Sequence, residues 1–356
     1  MAAVQDQAEN SSGAFNRAAK SFGSWLYQQR HGKHDTRKAD MLARVATFPG
    51  GQELLQKAAK RGVSIVVAPK KEIGSDGYYD AAKEPPEIGI ANSGNPAAMA
   101  MALWHELRHM RQHEGNPAGM AFGGQLKDPR TAHLMGMMAE ADAFTAETLM
   151  ALQQKKSGNP EYFDAMFSRP DYGPHRYIAG FLRQQPYESF KDDAAFARAL
   201  FTGMMTEGLL SYRASYFSRL GFHFRVSEDL AAFRRRVGNS KQGGIEADAP
   251  LAALYGPGFM SVSPKALMAA FYAAQPADER QALRLAQNTV NRADRLTEQE
   301  FRDARQEVIR RTQEIYMKDP DEYHYPGAFG EKVTGALKNA AEKDSFTGRP
   351  RRGRSP

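Results

Sequence analysis

The sequence predicts a mostly helical α+β fold, in which a small core of helices with a short sheet is followed by an all-helical region. Three observations lead there. Short β-branched or aromatic stretches bounded by turn residues occur at 63–67, 78–79 and 87–91, crowded into one part of the chain. Apolar residues recur at helical spacing on both sides of them, with capping residues at the ends. The stretch Trp104-His105-Glu106-Leu107-Arg108-His109-Met110 then sets two histidines four residues apart inside a strongly helix-forming run.

In chain order, residues 1–12 are small and polar and are expected to be disordered. Helical periodicity follows at 15–29, 37–46 and 52–60, where Gly62 supplies the stop. Val63-Ser64-Ile65-Val66-Val67 reads as a strand ended by Pro69. Gly74-Ser75-Asp76-Gly77 is a turn, and Tyr78-Tyr79 and 87–91 read as two further short strands. Asn95 is a good N-cap, Pro96 suits the first helical position, and Gly115 with Pro117 closes the motif helix. After a Gly/Pro-containing loop to residue 127, Asp128 and Pro129 open a helix running to about 155. The remainder to about residue 318 reads as helical, at 161–166, 175–183, 188–219, 228–236, 264–274, 277–291 and 298–317, with 188–219 as the longest segment. The domain reading is therefore a disordered 1–12, a core domain at 13–156, a helical domain at 157–330 and a basic, disordered tail at 331–356.

With 356 residues, 42% of them hydrophobic, the chain can fill a core as two domains or one large one. It has no cysteine, which excludes disulfides and thiolate metal sites, so any metal must be held by His, Asp or Glu. The first thirty or so residues lack a signal-peptide apolar region, and no run approaches the roughly eighteen residues of a membrane span. A cytoplasmic protein is expected, or one exported by a route that leaves no N-terminal mark. The net charge of +7 is spread over scattered patches, including Arg234-Arg235-Arg236, without interleaved aromatics or a binding module. Nucleic acid is thus disfavoured as a partner, and a solvated basic surface is the reading.

Positions i and i+4 of a helix project from nearly one face, so His105 and His109 can grip one metal ion. Two imidazoles leave room for a third protein ligand and a water in a tetrahedral zinc shell. Glu106, one step round the helix, falls beside that water and can take its proton. The following helix has an apolar stripe through Leu134, Met137, Met138, Ala141, Phe144 and Leu152, with Glu140 and Glu147 on one flank and Asp142 on the other. A carboxylate from a neighbouring antiparallel helix can complete the site, and Glu140 is the choice.

His105-Glu106-Leu107-Arg108-His109 followed by Ala139-Glu140-Ala141-Asp142-Ala143 resembles the gluzincin arrangement of zinc metallopeptidases. The order of helix, strand, hairpin-like strands and motif helix is similar to the small zincin core and to bacterial metallopeptidase-like domains of unknown function. The resemblance covers residues 51–155. It implies that His105, His109 and Glu140 bind zinc, that Glu106 is the general base, and that an edge strand beside the cleft pairs with an extended protein or peptide substrate. Thermolysin-like members carry an acid four residues after the ligand glutamate that orients a histidine, but Phe144 stands there. Either Asp142 takes that orienting role or Asp142 is itself the ligand in place of Glu140.

His113, two turns beyond His105, lies about 12 Å along the axis and cannot reach the same ion. Met137-Met138 sits inside a helix and belongs to the core. Glu207, Tyr212, His175 and His223 are residue types able to contact substrate or an oxyanion, although nothing in their spacing singles them out. Metal-assisted peptide hydrolysis is the function expected, with the helical half restricting access or binding a partner protein. Two alternatives remain: a helical binding or scaffold protein with an accidental motif, and an exported effector using the same chemistry.

Overall fold

The computed structural model describes residues 36–115, 128–168, 173–239, 272 and 275–317. The helix expected at 15–29, the disordered 1–12, the loop at 116–127, the 264–274 helix apart from Tyr272 and the basic tail lie outside the described residues. Among those described, the fold is mostly helical α+β with one three-stranded sheet. The chain divides into two compact units at Arg111/Gln112, at Thr145/Ala146 and again between Ser168 and Gly173. The first two divisions fall inside long helices, so these helices run through both units.

The first unit contains α1 (Thr36–Thr47), α2 (Gly51–Lys60), β1 (Ser64–Ala68), the one-turn α3 (Lys70–Ile73), β2 (Gly77–Asp80) and β3 (Glu87–Ala91). It also holds most of α4 (Pro96–Gly115), the end of α5 (Pro129–Lys156) and α6 (Glu161–Met166). Gly62, at φ +66°, turns the chain out of α2 in a left-handed conformation that side-chain-bearing residues resist, and Val63 N donates back to Ala58 O at 3.0 Å. The strand that follows lies parallel to β3, with Ile65 opposite Ile88 and Val67 opposite Ile90. β2 pairs antiparallel on the other side of β3, with Gly77 opposite Ile90 and Tyr79 opposite Ile88, so β2 is an edge strand. Ile65, Ile88 and Ile90 are buried with Leu54, Leu55 and Leu103. On the hairpin, Lys83 and then Tyr78 hold the Glu87 carboxyl below its ordinary range, fastening the two ends of the turn.

The second unit holds the end of α4, most of α5, α7 (Gly173–Gln184), α8 (Asp193–Gly203), α9 (Leu210–Arg225), α10 (Leu230–Asn239), α11 (Ala277–Asn291) and α12 (Glu298–Met317). The expected single helix over 188–219 is corrected here, because four elements share that span. A 3-10 turn at Tyr187–Ser189 precedes α8, whose cap Asp192 has an extended backbone and accepts a hydrogen bond from Ala195 N at 2.8 Å. At Met204–Gly208 the helix widens into a π turn before α9. Tyr177, together with Met204, whose Sδ would stand 2.4 Å from a Cβ on Gly208, explains the glycines at 203 and 208. A Cβ on Gly203 would stand 1.9 Å from the Tyr177 hydroxyl, and one on Gly208 would stand 2.8 Å from its ring. Burial, reinforced by the Glu207 charge, pushes the Tyr177 phenol far up.

α9 lies closely against α12, since a Cβ on Gly221 would stand 2.3 Å from Thr312 Oγ1. Phe224, Phe233 and Phe301 form the centre of the apolar cluster, with ring centroids 5.3 and 4.8 Å apart. Arg305 donates to Phe224 O and Arg225 O at 2.9 and 2.8 Å, satisfying carbonyls at the end of α9. Arg234, expected on a solvated surface, is exposed and from there also donates to Ala293 O, Asp294 O and Leu296 O at 2.9, 3.3 and 3.1 Å.

Candidate metal centre

The helix that carries the histidines starts where its cap demands. Asn95 Oδ1 accepts hydrogen bonds from Ala97 N at 3.0 Å and Ala98 N at 3.2 Å, satisfying two of the donors that a helix start leaves without partners. Phe48 and Trp104 meet edge to face at 5.7 Å, which holds α4 against the end of α1.

The antiparallel register of α4 on α5 is fixed within each unit separately. In the first unit Trp104 Nε1 donates to Ala146 O at 3.4 Å and His105 Nδ1 lies 3.0 Å from Glu147 Oε2. In the second, Gln112 Nε2 donates to Ala139 O at 3.0 Å and Asp142 Oδ2 at 2.6 Å. The same two continuous helices carry both sets of contacts. Between them, His105, His109 and Glu140 each offer a ligand atom, and these atoms all lie within 4.8 Å of one another. The imidazole rings stand 4.9 Å apart at 76°.

This donor set suits a divalent cation. In a tetrahedral zinc shell with bonds of about 2.0–2.2 Å, ligand atoms stand about 3.4 Å apart, a distance these side chains reach by closing slightly on the ion. His105, His109 and Glu140 are 8%, 7% and 8% exposed, so the ion would be nearly enclosed by protein. Charge points the same way. The buried charged groups of α4 and α5 are four carboxylates, Glu106, Glu140, Asp142 and Glu147, against one guanidinium, Arg108. Taking carboxylates out of water costs on the order of several kcal/mol each unless they are paired, and a divalent cation offsets that excess. The residues present can hold a metal ion.

Glu147 is the residue that local pattern did not assign. Accepting from His105 Nδ1–H, it would fix the imidazole tautomer that leaves Nε2 for a cation, as in carboxylate–histidine–metal relays. The residue four beyond Glu140 is Phe144 and Asp142 receives Gln112, whereas the acid that meets His105 stands two turns beyond Glu140. The available signal was its helical phase, because Glu147 shares the flank of Glu140. Asp142 receives Gln112 rather than joining the histidines, so the carboxylate in the cluster is that of Glu140.

Glu106, 7% exposed, leaves α4 toward the sheet, where its Cγ and Oε1 lie against Gly77 of β2. His113 is half-buried and stands outside the cluster. Met137 and Met138 are buried within α5, as expected of core residues. Phe144, one turn beyond Glu140, receives the ring of His175 at 5.9 Å and that of Tyr212 at 5.7 Å, both edge-on. Glu207 is exposed on the π turn, and the His223 carbonyl accepts from Ser227 Oγ at 2.9 Å.

A family model described as Putative metallopeptidase family (DUF6782) matches residues 16–206. That span contains the sheet, both metal-site helices, and α6 through α8. No curated protein and no solved structure matches the chain.

Proposed function

The chain belongs to the family so described, whose model spans more than half of its length, and on that premise we propose that it is a zinc metallopeptidase of gluzincin type. The observation that carries this reading is the convergence of His105, His109 and Glu140, with Glu147 turning the first imidazole toward the same point. In this reading the three converging side chains hold the ion. A zinc ion there would supply Lewis acidity, making water nucleophilic near neutral pH and drawing electrons from a peptide carbonyl. Glu106 takes the proton of the attacking water and delivers it to the departing amine.

The edge strand supplies a place for an extended peptide. Ala91 N donates to Asp76 O at 2.9 Å, and in an antiparallel ladder this makes positions 76, 78 and 80 the bonded ones. The backbone groups of Gly77 and Tyr79 then point away from β3, with the Gly77 carbonyl accepting from Ser75 Oγ at 2.6 Å, on the strand that touches Glu106. A protein or peptide chain adding to that edge would bring its scissile bond toward the base. The reading takes polypeptide rather than nucleic acid as substrate, places the protein in the cytoplasm, and assigns the helical region to restricting access or holding a partner protein. Among the described residues, no helix is long and apolar enough to cross a membrane.

Elemental analysis of the purified full chain tests the proposal. About one zinc per chain is expected, falling sharply in His109→Ala and Glu140→Ala. Glu106→Gln is expected to retain the metal while hydrolysis of unfolded casein drops by about 10²–10⁴-fold. A wild-type chain that binds no zinc, or a His109→Ala chain that binds it as well as the wild type does, would end the reading.

A further inference from the structure

The two faces of β2 are unlike. Tyr78 lies on one face with its ring over Gly89, where a Cβ would stand 2.2 Å from Cε1. Gly77 and Tyr79 alternate onto the other face, toward α4. At Gly77 a Cβ would stand 2.9 Å from Glu106 Cγ, 3.0 Å from Glu106 Oε1 and 3.2 Å from Ile90 Cδ1. Backbone conformation does not account for glycine here, because Gly77 is not among the positive-φ glycines of the described residues. What excludes a side chain at position 77 is the glutamate.

Nor can Glu106 yield easily. Leu103 and Leu107, on either side of it along α4, are completely buried, so the helix backbone cannot withdraw without opening the core. Ile90, also completely buried and the register partner of Gly77, closes the other side. An added methyl would therefore have to turn the Glu106 side chain into another rotamer.

We infer that Gly77 is a positioning residue, whose missing side chain seats the Glu106 carboxylate directly on the edge strand. The inference deepens the peptidase reading and rests on it for its catalytic meaning. The base is registered to the same residue whose backbone faces the substrate edge, so proton transfer and substrate alignment share one reference point.

A double-mutant cycle on the full chain tests the juxtaposition without any substrate. Urea midpoints are measured for the wild type, Gly77→Ala, Glu106→Ala and the double variant. Gly77→Ala is expected to lower the midpoint in the wild-type background and to leave it unchanged or raised when Glu106 is truncated. Equal losses in both backgrounds overturn the inference, as does a Gly77→Ala chain that fails to fold in both. A second measurement separates positioning from packing: zinc-loaded Gly77→Ala is expected to keep its metal and its KM for unfolded casein while kcat falls at least about tenfold. An unaltered kcat, or loss of zinc in parallel with activity, overturns it. Should the wild type neither bind zinc nor cleave casein, the peptidase reading fails, and the cycle alone still decides whether Gly77 sets Glu106.

Discussion

On α4 and α5, acids and histidines are turned inward and aliphatic residues fill the space around them. On α9 to α12 the arrangement is reversed: phenylalanines fill the centre and charges line the outside. Among the described residues of those four helices, the buried acid is Glu279, placed in the first turn of α11, where the helix dipole favours it. On α12, Glu307 forms surface pairs with Arg310 and Arg311. The contrast separates two uses of the same residue types. In the bundle, charge is peripheral and apolar burial supplies the stability. In the helix pair, acids are desolvated beside two histidines that could share a cation with Glu140.

Three measurements break or sharpen that contrast. The largest effect belongs to the apolar centre. Phe233→Ala removes a fully buried ring that touches Phe224 and Phe301, and urea unfolding should show a loss of about 3–5 kcal/mol. Zinc stoichiometry of the remaining folded chain should be unchanged; metal loss at native temperatures would show that the two regions are not energetically separate.

Glu147→Gln comes next. It keeps the shape but removes the charge that orients His105, and metal titration should show zinc affinity falling about 10–100-fold. Unchanged affinity would reduce the relay to ordinary helix packing.

The smallest effect is at the surface of α12. Arg310 first, and then Arg311, hold the Glu307 carboxyl down at about 2. A carboxyl depressed in the folded state contributes stability above its unfolded value of 4.5, and that contribution drains away as pH falls toward 2. Because the Glu307 and Arg310 side chains are 35% and 52% exposed, solvent screens the pair. Glu307→Gln should therefore cost only about 0.2–1 kcal/mol near neutral pH and less in high salt. Thermal melts across pH 2–6 should show the mutant and wild-type curves converging at the acid end.

The residues explain which parts of this arrangement could be read without coordinates. Asn95, Pro96 and Gly115 bound α4 because capping is a property of a few consecutive residues, and the segments read as helical at 277–291 and 298–317 coincide with α11 and α12. Lys70–Ile73 is a single turn, too short for any period to register. The π turn escaped because Phe201, Met204, Met205 and Leu209 are apolar and closely spaced, so one extra residue leaves no gap in the pattern. Glu140 could be chosen from its flank of the helix, whereas the role of Glu147 depends on how far α5 slides along α4. That offset is set by contacts such as Trp104 to Ala146, between residues far apart in sequence. The need for glycine at 77 is likewise a property of two elements meeting, and neither segment carries it alone.

The widened turn at Met204–Gly208 gives the second unit a fine adjustment with one setting. Each residue of a helix advances its faces by about 100°, so excising a single supernumerary position there would swing α9 by roughly a quarter of a circle. Tyr212 would leave Phe144, and Gly221 would leave the notch it makes for Thr312. The number of residues between Gly203 and Gly208, which both lie against Tyr177, therefore sets the rotational phase of α9.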